Sequence, residues 1–194
     1  MGSIVTRRES LVFRHDRPIQ QQPALPSGIE HSVLDADSVE HFFRAEADAW
    51  RRRAYKRMLR RGSLGFLLHE GDQWASVGWV STPGSSDPRH LSKRIVQPHY
   101  WTFFVNTAEE YRNRGLQKLG LWFRVSGARK HANDAECPVY TDVDPRNSFS
   151  RRAKVSFGFD ECGIVETTSL RVPLLGPLNF GRWSTDTPHP ATDS

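Results

Sequence analysis

The stretch from residue 99 to residue 143 constrains the fold more than any other. An apolar run, "HYWTFFVN", leads into the polar string "TAEEYRNRGLQK", then an amphipathic segment, then a second apolar run, "PVYTDV". Leu116, Leu119, Gly120, Phe123 and Gly127 recur at helical spacing, so residues 115–131 read as a helix with one apolar face. Two strands joined through a helix lie parallel, because parallel neighbours need a crossover. The chain is therefore expected to carry a strand–helix–strand unit with a parallel pair.

The remaining segments are arranged around that unit. Residues 1–30 read as an irregular N-terminal segment in which "SLVFRHD" is a candidate first strand. The prolines of "RPIQQQPALPSG" break any regular pattern after it. Asp37 and Glu40 have capping-box spacing, and Phe43, Ala47, Trp50, Ala54 and Met58 give an apolar stripe, so one helix is expected from Asp37 to Gly62. Its polar side carries Arg51, Arg52, Arg53, Lys56, Arg57, Arg60 and Arg61. "SLGFLLHE" and "QWASVGWVST" read as a hairpin turned at Gly71-Asp72. Residues 82–98 read as a long loop. Residues 147–157 read as a short helix, and strands are expected at about 158–165 and 167–173. The segment 31–175 is thus one domain, and 176–194 is expected to be a flexible tail. The class is α/β (α+β), a mixed sheet with helices on its faces.

Composition narrows the function. A net charge of +5 and a pI of about 9.6 suit an anionic ligand or partner. No apolar run is long enough for a membrane span, and no apolar leader core stands at the N-terminus, so a cytoplasmic protein without a membrane role is expected. Cys137 and Cys162 have no metal or redox spacing, and no metal site is expected. The Arg-rich helix lacks interleaved aromatics, which argues against nucleic acid. It is either a solvated face or a dock for an acidic protein.

The polar string has its own chemistry. The first N–H groups of a helix lack internal partners and carry partial positive charge. Gly115 lets the main chain approach a ligand closely, and Arg112 and Arg114 add charge. The segment is either a structural turn or a phosphate cradle.

"RNRGLQ" resembles the acyl-CoA signature of the GNAT acyltransferase superfamily: Arg or Gln, two residues, Gly, one residue, then Gly or Ala. Arg112 and Gly115 match, and Gln117 stands where the small residue is usual. "VDPRNSFSRRAKVSFGF" resembles the closing motif of the same superfamily through Val143, Asn147, Ser150, Gly158 and Phe159. The resemblance covers residues 38–172 and is strongest over 99–159. It implies a splayed sheet of about six to seven strands flanked by about four helices, with acetyl-CoA or another acyl-CoA as co-substrate. The pyrophosphate would bind at Asn113, Arg114, Gly115, Leu116, Gln117 and Lys118. The thioester carbonyl would meet a main-chain N–H at Phe104, Val105 or Asn106. Asn147 and Ser150 would touch the cofactor arm.

The implied reaction moves an acetyl or short acyl group to a primary amine by direct attack. The acceptor is a small-molecule or sugar amine, with a protein amine next, and a homodimer is left open. Many superfamily members protonate the leaving thiolate with a Tyr seven residues past the Asn; here that position is Lys154. Candidate catalytic residues are Asp142 as base or amine anchor, Ser150 at the sulfur, and Asn147, whose other reading is a helix cap. Asp144, His99 and Tyr100 are weaker candidates for chemistry. His69 and Glu70 are expected at the surface. Trp74, Trp79 and Trp101 are either core or the wall of an acyl pocket. Two alternatives remain: a non-catalytic acyl-CoA-binding module, and an acyltransferase whose donor is an acyl carrier protein.

Overall fold

The computed structural model describes residues 4–172 and 176–185. The strands are β1 (Ile4–His15), β2 (Glu30–Leu34), β3 (Leu64–Glu70), β4 (Gln73–Ser81), β5 (Tyr100–Thr107), β6 (Val139–Val143), β7 (Asp160–Val172) and β8 (Gly176–Ser184). The helices are α1 (Ala36–Phe42), α2 (Ala49–Arg60), α3 (Lys93–Val96), α4 (Leu116–Ala132) and α5 (Ser148–Phe157). One sheet of order β2-β3-β4-β5-β6-β1-β7-β8 holds every strand, and only β5–β6 is parallel. The strand–helix–strand expectation is thus met by β5, α4 and β6. The sheet has eight strands rather than six or seven.

One face of the sheet packs on α4 through Leu11, Phe13, Phe66, Tyr100, Val139 and Val143. The other packs on α1 and α2 through Val12, Leu67, Val77, Trp79, Trp101 and Tyr140. Gly127 of α4 is required by contact, because a Cβ there would collide with the Phe66 ring. The parallel pairing of β5 and β6 covers only Tyr100–Val139, Trp101–Tyr140 and Thr102–Thr141. Both strands continue beyond it, so the sheet parts at Thr102 and Thr141.

Several expectations are corrected. The N-terminal segment is regular over Ile4–His15, and β1 lies inside the sheet between β6 and β7. Its "LVF" run is fully buried on both faces, as an interior strand requires. The single helix expected from Asp37 is two helices separated by a 3-10 turn, Glu46–Asp48. The cap is Asp35, whose side chain takes the Ser38 N–H in a capping box. Arg52 donates to the carbonyls of Phe43 (2.6 Å) and Ala45 (3.1 Å) and so stabilises the break. Tyr55 is the fully buried residue of α2, whereas Trp50 is 47% exposed.

The loop 82–98 contains α3, and Leu91, Ile95 and Val96 bury it against the core. The two short strands expected near 158–173 are one strand, β7. Its hairpin partner is β8, from the segment expected to be a flexible tail. Residues 186–194 of that tail lie outside the described residues. Among the described residues no helix is long and apolar enough to cross a membrane.

Candidate active site at the splayed strands

The opening between β5 and β6 is a cavity of about 430 Å³. Thr102, Phe103, Phe104 and Val105 of β5 line one side, and Thr141 and Asp142 of β6 the other. Asn147, Phe149, Ser150 and Lys154 enter from α5, Gln117 from the start of α4, Arg8 from β1, and His90 from the loop before α3. Phe104, Val105 and Phe149 leave an apolar rim at the mouth, 39%, 38% and 65% exposed.

A bulge in β5 shapes the apex. Val77 pairs with Asn106 and Trp79 with Phe103, so Phe104 and Val105 together face the single residue Gly78. Phe104 takes a left-handed conformation, φ 48°, which a bulky residue adopts only under local constraint. The bulge frees main-chain groups of Phe104 and Val105 from the β4 ladder. Asn106 remains paired with β4, and its carbonyl accepts from Ser76, so it stands apart from the cavity lining.

The N-terminus of α4 borders the same opening. Gly115 is its cap at φ 72°, and Asn113 is also left-handed at φ 63°. Among the described residues, the N–H groups of Asn113, Arg114, Gly115, Leu116 and Gln117 meet no backbone or side-chain acceptor, while that of Lys118 returns to the Gly115 carbonyl. A Cβ at Gly115 would meet nothing, so the surface there is open. Arg112 and Arg114 are exposed and form no ion pair with Glu109 or Glu110; Arg114 stacks 4.9 Å from the Tyr111 ring.

The candidate catalytic residues are redistributed. The Asp142 carboxylate is buried and already engaged: His90 Nε2 lies 2.8 Å from one oxygen, Trp101 Nε1 donates to the other at 3.1 Å, and Arg8 stands 3.9 Å away. Burial alone would raise its pKa. The His90 hydrogen bond and charge, the Trp101 N–H and Arg8 together outweigh that and hold it below the usual carboxylate range. An acid so held is a poor proton acceptor, which counts against Asp142 as base. Its hydrogen bond to His90 fixes one nitrogen of that ring. The Asn147 side chain accepts the Ser150 N–H at 2.9 Å, so its capping role is real while the residue also lines the cavity.

Asp144 is bonded to Arg146 outside the cavity. His99 packs among Tyr140 and Trp183, and the Tyr100 hydroxyl meets His131. His69 is buried, against expectation, between Ser32 and the Gly71 carbonyl, and Glu70 accepts from Tyr111. Trp79 and Trp101 are core, Trp74 is half-buried, and none of the three lines the cavity.

The sequence reading missed His90. It sits in a Pro- and Ser-rich loop with no periodicity, and only the tertiary fold brings it to Asp142, 52 positions away. The reading also passed over the environment of Lys154, which is 4% exposed and lines the cavity from the last turn of α5.

The site spans both faces of the sheet. Asp142 shares the parity of Tyr140 on β6, and Arg8 that of Val12 on β1, which places them with α1 and α2. Lys154 stands over the Phe159 ring on the α4 face.

No family model matches the chain. Comparison with solved structures places the fold among GNAT acetyltransferases. A tandem GNAT protein from the clavulanic acid biosynthesis pathway superposes with a TM-score of 0.60 at 16% identity, over 86% of this chain and 54% of that one. A putative GNAT-family acetyltransferase from Novosphingobium aromaticivorans gives 0.56 at 17% identity, over 87% of this chain and 66% of that one. AAC(6')-Iy, in complex with the bisubstrate analogue CoA-S-monomethyl-acetylneamine, gives 0.52 at 15% identity, over 70% of this chain and 92% of that one. The chain spans about half the length of the tandem protein. The fold is therefore GNAT-like, a splayed mixed sheet flanked by helices.

Proposed function

We propose that the protein is an acyl-CoA-dependent N-acyltransferase that moves an acetyl or short acyl group to a primary amine. One observation carries the reading. The parallel strands β5 and β6 part after three residue pairs, and the unpartnered N–H groups capping α4 border the gap. Helix-capping amides of this kind suit a diphosphate. The apolar rim of Phe104, Val105 and Phe149 suits the arm behind it, and the β5 bulge offers unladdered main chain to a thioester carbonyl.

His90 is the general base of this proposal. One ring nitrogen is held by Asp142, and the cavity receives the ring from the face opposite α4. It takes a proton from the acceptor ammonium, because only the neutral amine is nucleophilic. The amine nitrogen then bonds to the thioester carbon, the C–S bond breaks, and its electron pair leaves on sulfur. A small-molecule or sugar amine fits a cavity of this size, and the acetylneamine analogue bound by AAC(6')-Iy is of that type. The held imidazole favours turnover over a purely binding role.

The test is CoA thiol release from acetyl-CoA over kanamycin, glucosamine, spermine and a peptide amine. Release with at least one amine, and its loss in His90→Gln with acetyl-CoA binding retained, is expected. Calorimetric binding of acetyl-CoA with no release from any amine supports a binding module instead, and no binding at all refutes the reading.

A further inference from the structure

Two buried cations sit beneath the splayed strands, and neither forms an ion pair among the described residues. Arg124, from the middle of α4, is 1% exposed, and its Nε and Nη2 meet no acceptor among the described residues. Glycines make its room: a Cβ at Gly78 would collide with Nη1, and one at Gly120 would lie 3.3 Å from it. Gly78 is also the β4 residue that faces the Phe104–Val105 bulge, so the guanidinium underlies the apex of the cavity. Lys154 is the second cation, one turn after Ser150 on α5 and, like it, part of the cavity lining. Its ammonium stands 5.8 Å from the Phe159 ring centroid.

Leaving two nitrogens of a buried guanidinium without an acceptor is costly. A fold that keeps such a group behind a buried lysine, itself part of the wall of the opening where a thioester would lie, suits negative charge that appears only during a reaction.

We propose that Lys154 is the catalytic proton donor to the departing CoA thiolate, and that Arg124, packed beneath the apex of the cavity, is a positioning residue acting through that lysine. The inference rests on the N-acyltransferase reading. The lysine occupies the cavity wall on the α4–α5 face, whereas His90 and Asp142 serve the opposite face. Base and acid therefore stand on the two sides of the sheet that the reacting bonds would join. As the C–S bond breaks, its electron pair goes to sulfur and the Lys154 N–H proton follows. Of the two protons the substrate ammonium loses in full turnover, the thiol keeps the equivalent of one and solvent receives the other.

The charged groups facing Lys154 are Arg124 from α4 and Asp142 from β6, with Arg8 and His90 across the cavity. Burial, and then the Arg124 charge, push the Lys154 amine from 10.5 down to about 7, against a smaller opposing pull from Asp142. Direction matters here. A solvent-exposed lysine is a weaker acid than a thiol of pKa about 8.5 and would not hand its proton over, whereas an ammonium at about 7 is the stronger acid.

The experiment compares wild type with Lys154→Met, Lys154→Arg and Arg124→Met, each checked for folding by thermal melting. With acetyl-CoA and the best amine of the panel, Lys154→Met is expected to lose about 100-fold in kcat, with KM for acetyl-CoA within about 2-fold. The alkaline limb of the kcat profile, where the ammonium is lost, should vanish in Lys154→Met and move to higher pH in Arg124→Met. Lys154→Arg keeps the charge but not the acidity and should stay slow; full activity there would reduce the role to electrostatics and overturn the inference. A retained alkaline limb in Lys154→Met would do the same, as would stoichiometric acetylation of Lys154 by acetyl-CoA alone.

A readout without an acceptor keeps the inference separable from the N-acyltransferase reading. The thiolate absorbance of bound CoA, titrated with pH, should have its midpoint raised in Lys154→Met. Identical midpoints in the two proteins refute contact between Lys154 and the sulfur, even if turnover is seen. Failure of CoA and acetyl-CoA to bind wild type refutes the N-acyltransferase reading as well.

Discussion

Two segments of this chain are rich in arginine, and the fold treats them in opposite ways. On α2 most of the charge is consumed locally. Arg51 pairs with Asp48, Lys56 with Glu40, and Arg52 holds the two carbonyls at the helix break, while Arg61, just past the helix end, pairs with the buried Asp87 at 3.1 Å. In the loop before α4 the acids are present but not engaged. Among the described residues Arg112 and Arg114 make no ion pair, and five successive main-chain N–H groups lack acceptors. The helix has the larger number of cations, yet most of them already have partners, whereas the loop keeps both arginines and its main-chain donors open. Number of charges is thus a poor guide to a binding surface, and what matters is how many have partners already.

Gly115→Glu is the strongest way to break this contrast. It puts a carboxylate among the unpartnered N–H groups, and binding of acetyl-CoA by calorimetry should weaken by at least about 100-fold, two ordinary charge-assisted contacts. The left-handed backbone at this position adds about 1–2 kcal/mol of strain, so a Gly115→Ala control isolates the charge. Equal affinity for Gly115→Glu and the parent would leave the loop without a ligand role. Next in size, Arg112→Gln with Arg114→Gln should weaken acetyl-CoA by about 10-fold and reduce the salt dependence of binding.

The third test reads stability. Replacing a buried charge by an apolar side chain is commonly stabilising, so Lys154→Met should melt about 2–4 °C higher at neutral pH. The folded pKa, about 7, lies below the unfolded value of 10.5, so the cost of burying the ammonium is complete below about pH 7. It fades as pH rises toward 10.5, and the stabilisation in the variant should shrink over the same window. A lower melting point at pH 7 would mean that Lys154 supports the fold. The smallest effect is expected from Arg53→Gln, Arg57→Gln and Arg60→Gln together on α2. Acetyl-CoA affinity should stay within about 2-fold, as expected for exposed charges away from the opening. A loss near 10-fold would move the cationic surface of α2 into the donor site.

Legibility in the sequence followed the range of the interactions involved. The β5–α4–β6 unit, the cap at Gly115 and the Asn147 start of α5 depend on neighbours a few positions away, and each was visible in spacing and residue type. The break between α1 and α2 was not, because it is stabilised by Arg52 reaching back to Phe43 rather than by a proline or glycine. Pairing of His90 with Asp142 and seclusion of Lys154 against Arg124 are tertiary facts; in the sequence they are a histidine in a loop and two ordinary basic residues on helices. The interior place of β1 was hidden for the same reason, since its partners lie on β6 and β7.

That last feature bears on how the molecule assembles. Leu11 stands opposite Val143 on one side and Ile164 on the other, so β1 waits for segments synthesised long after it. Contacts so distant along the chain carry a high loop-closure cost and slow the search for the native state. The hairpin of β3 and β4 can form early. The join that completes the sheet belongs to the final stage of folding, and until then the "LVF" segment is an uncovered apolar strand that invites association with other chains.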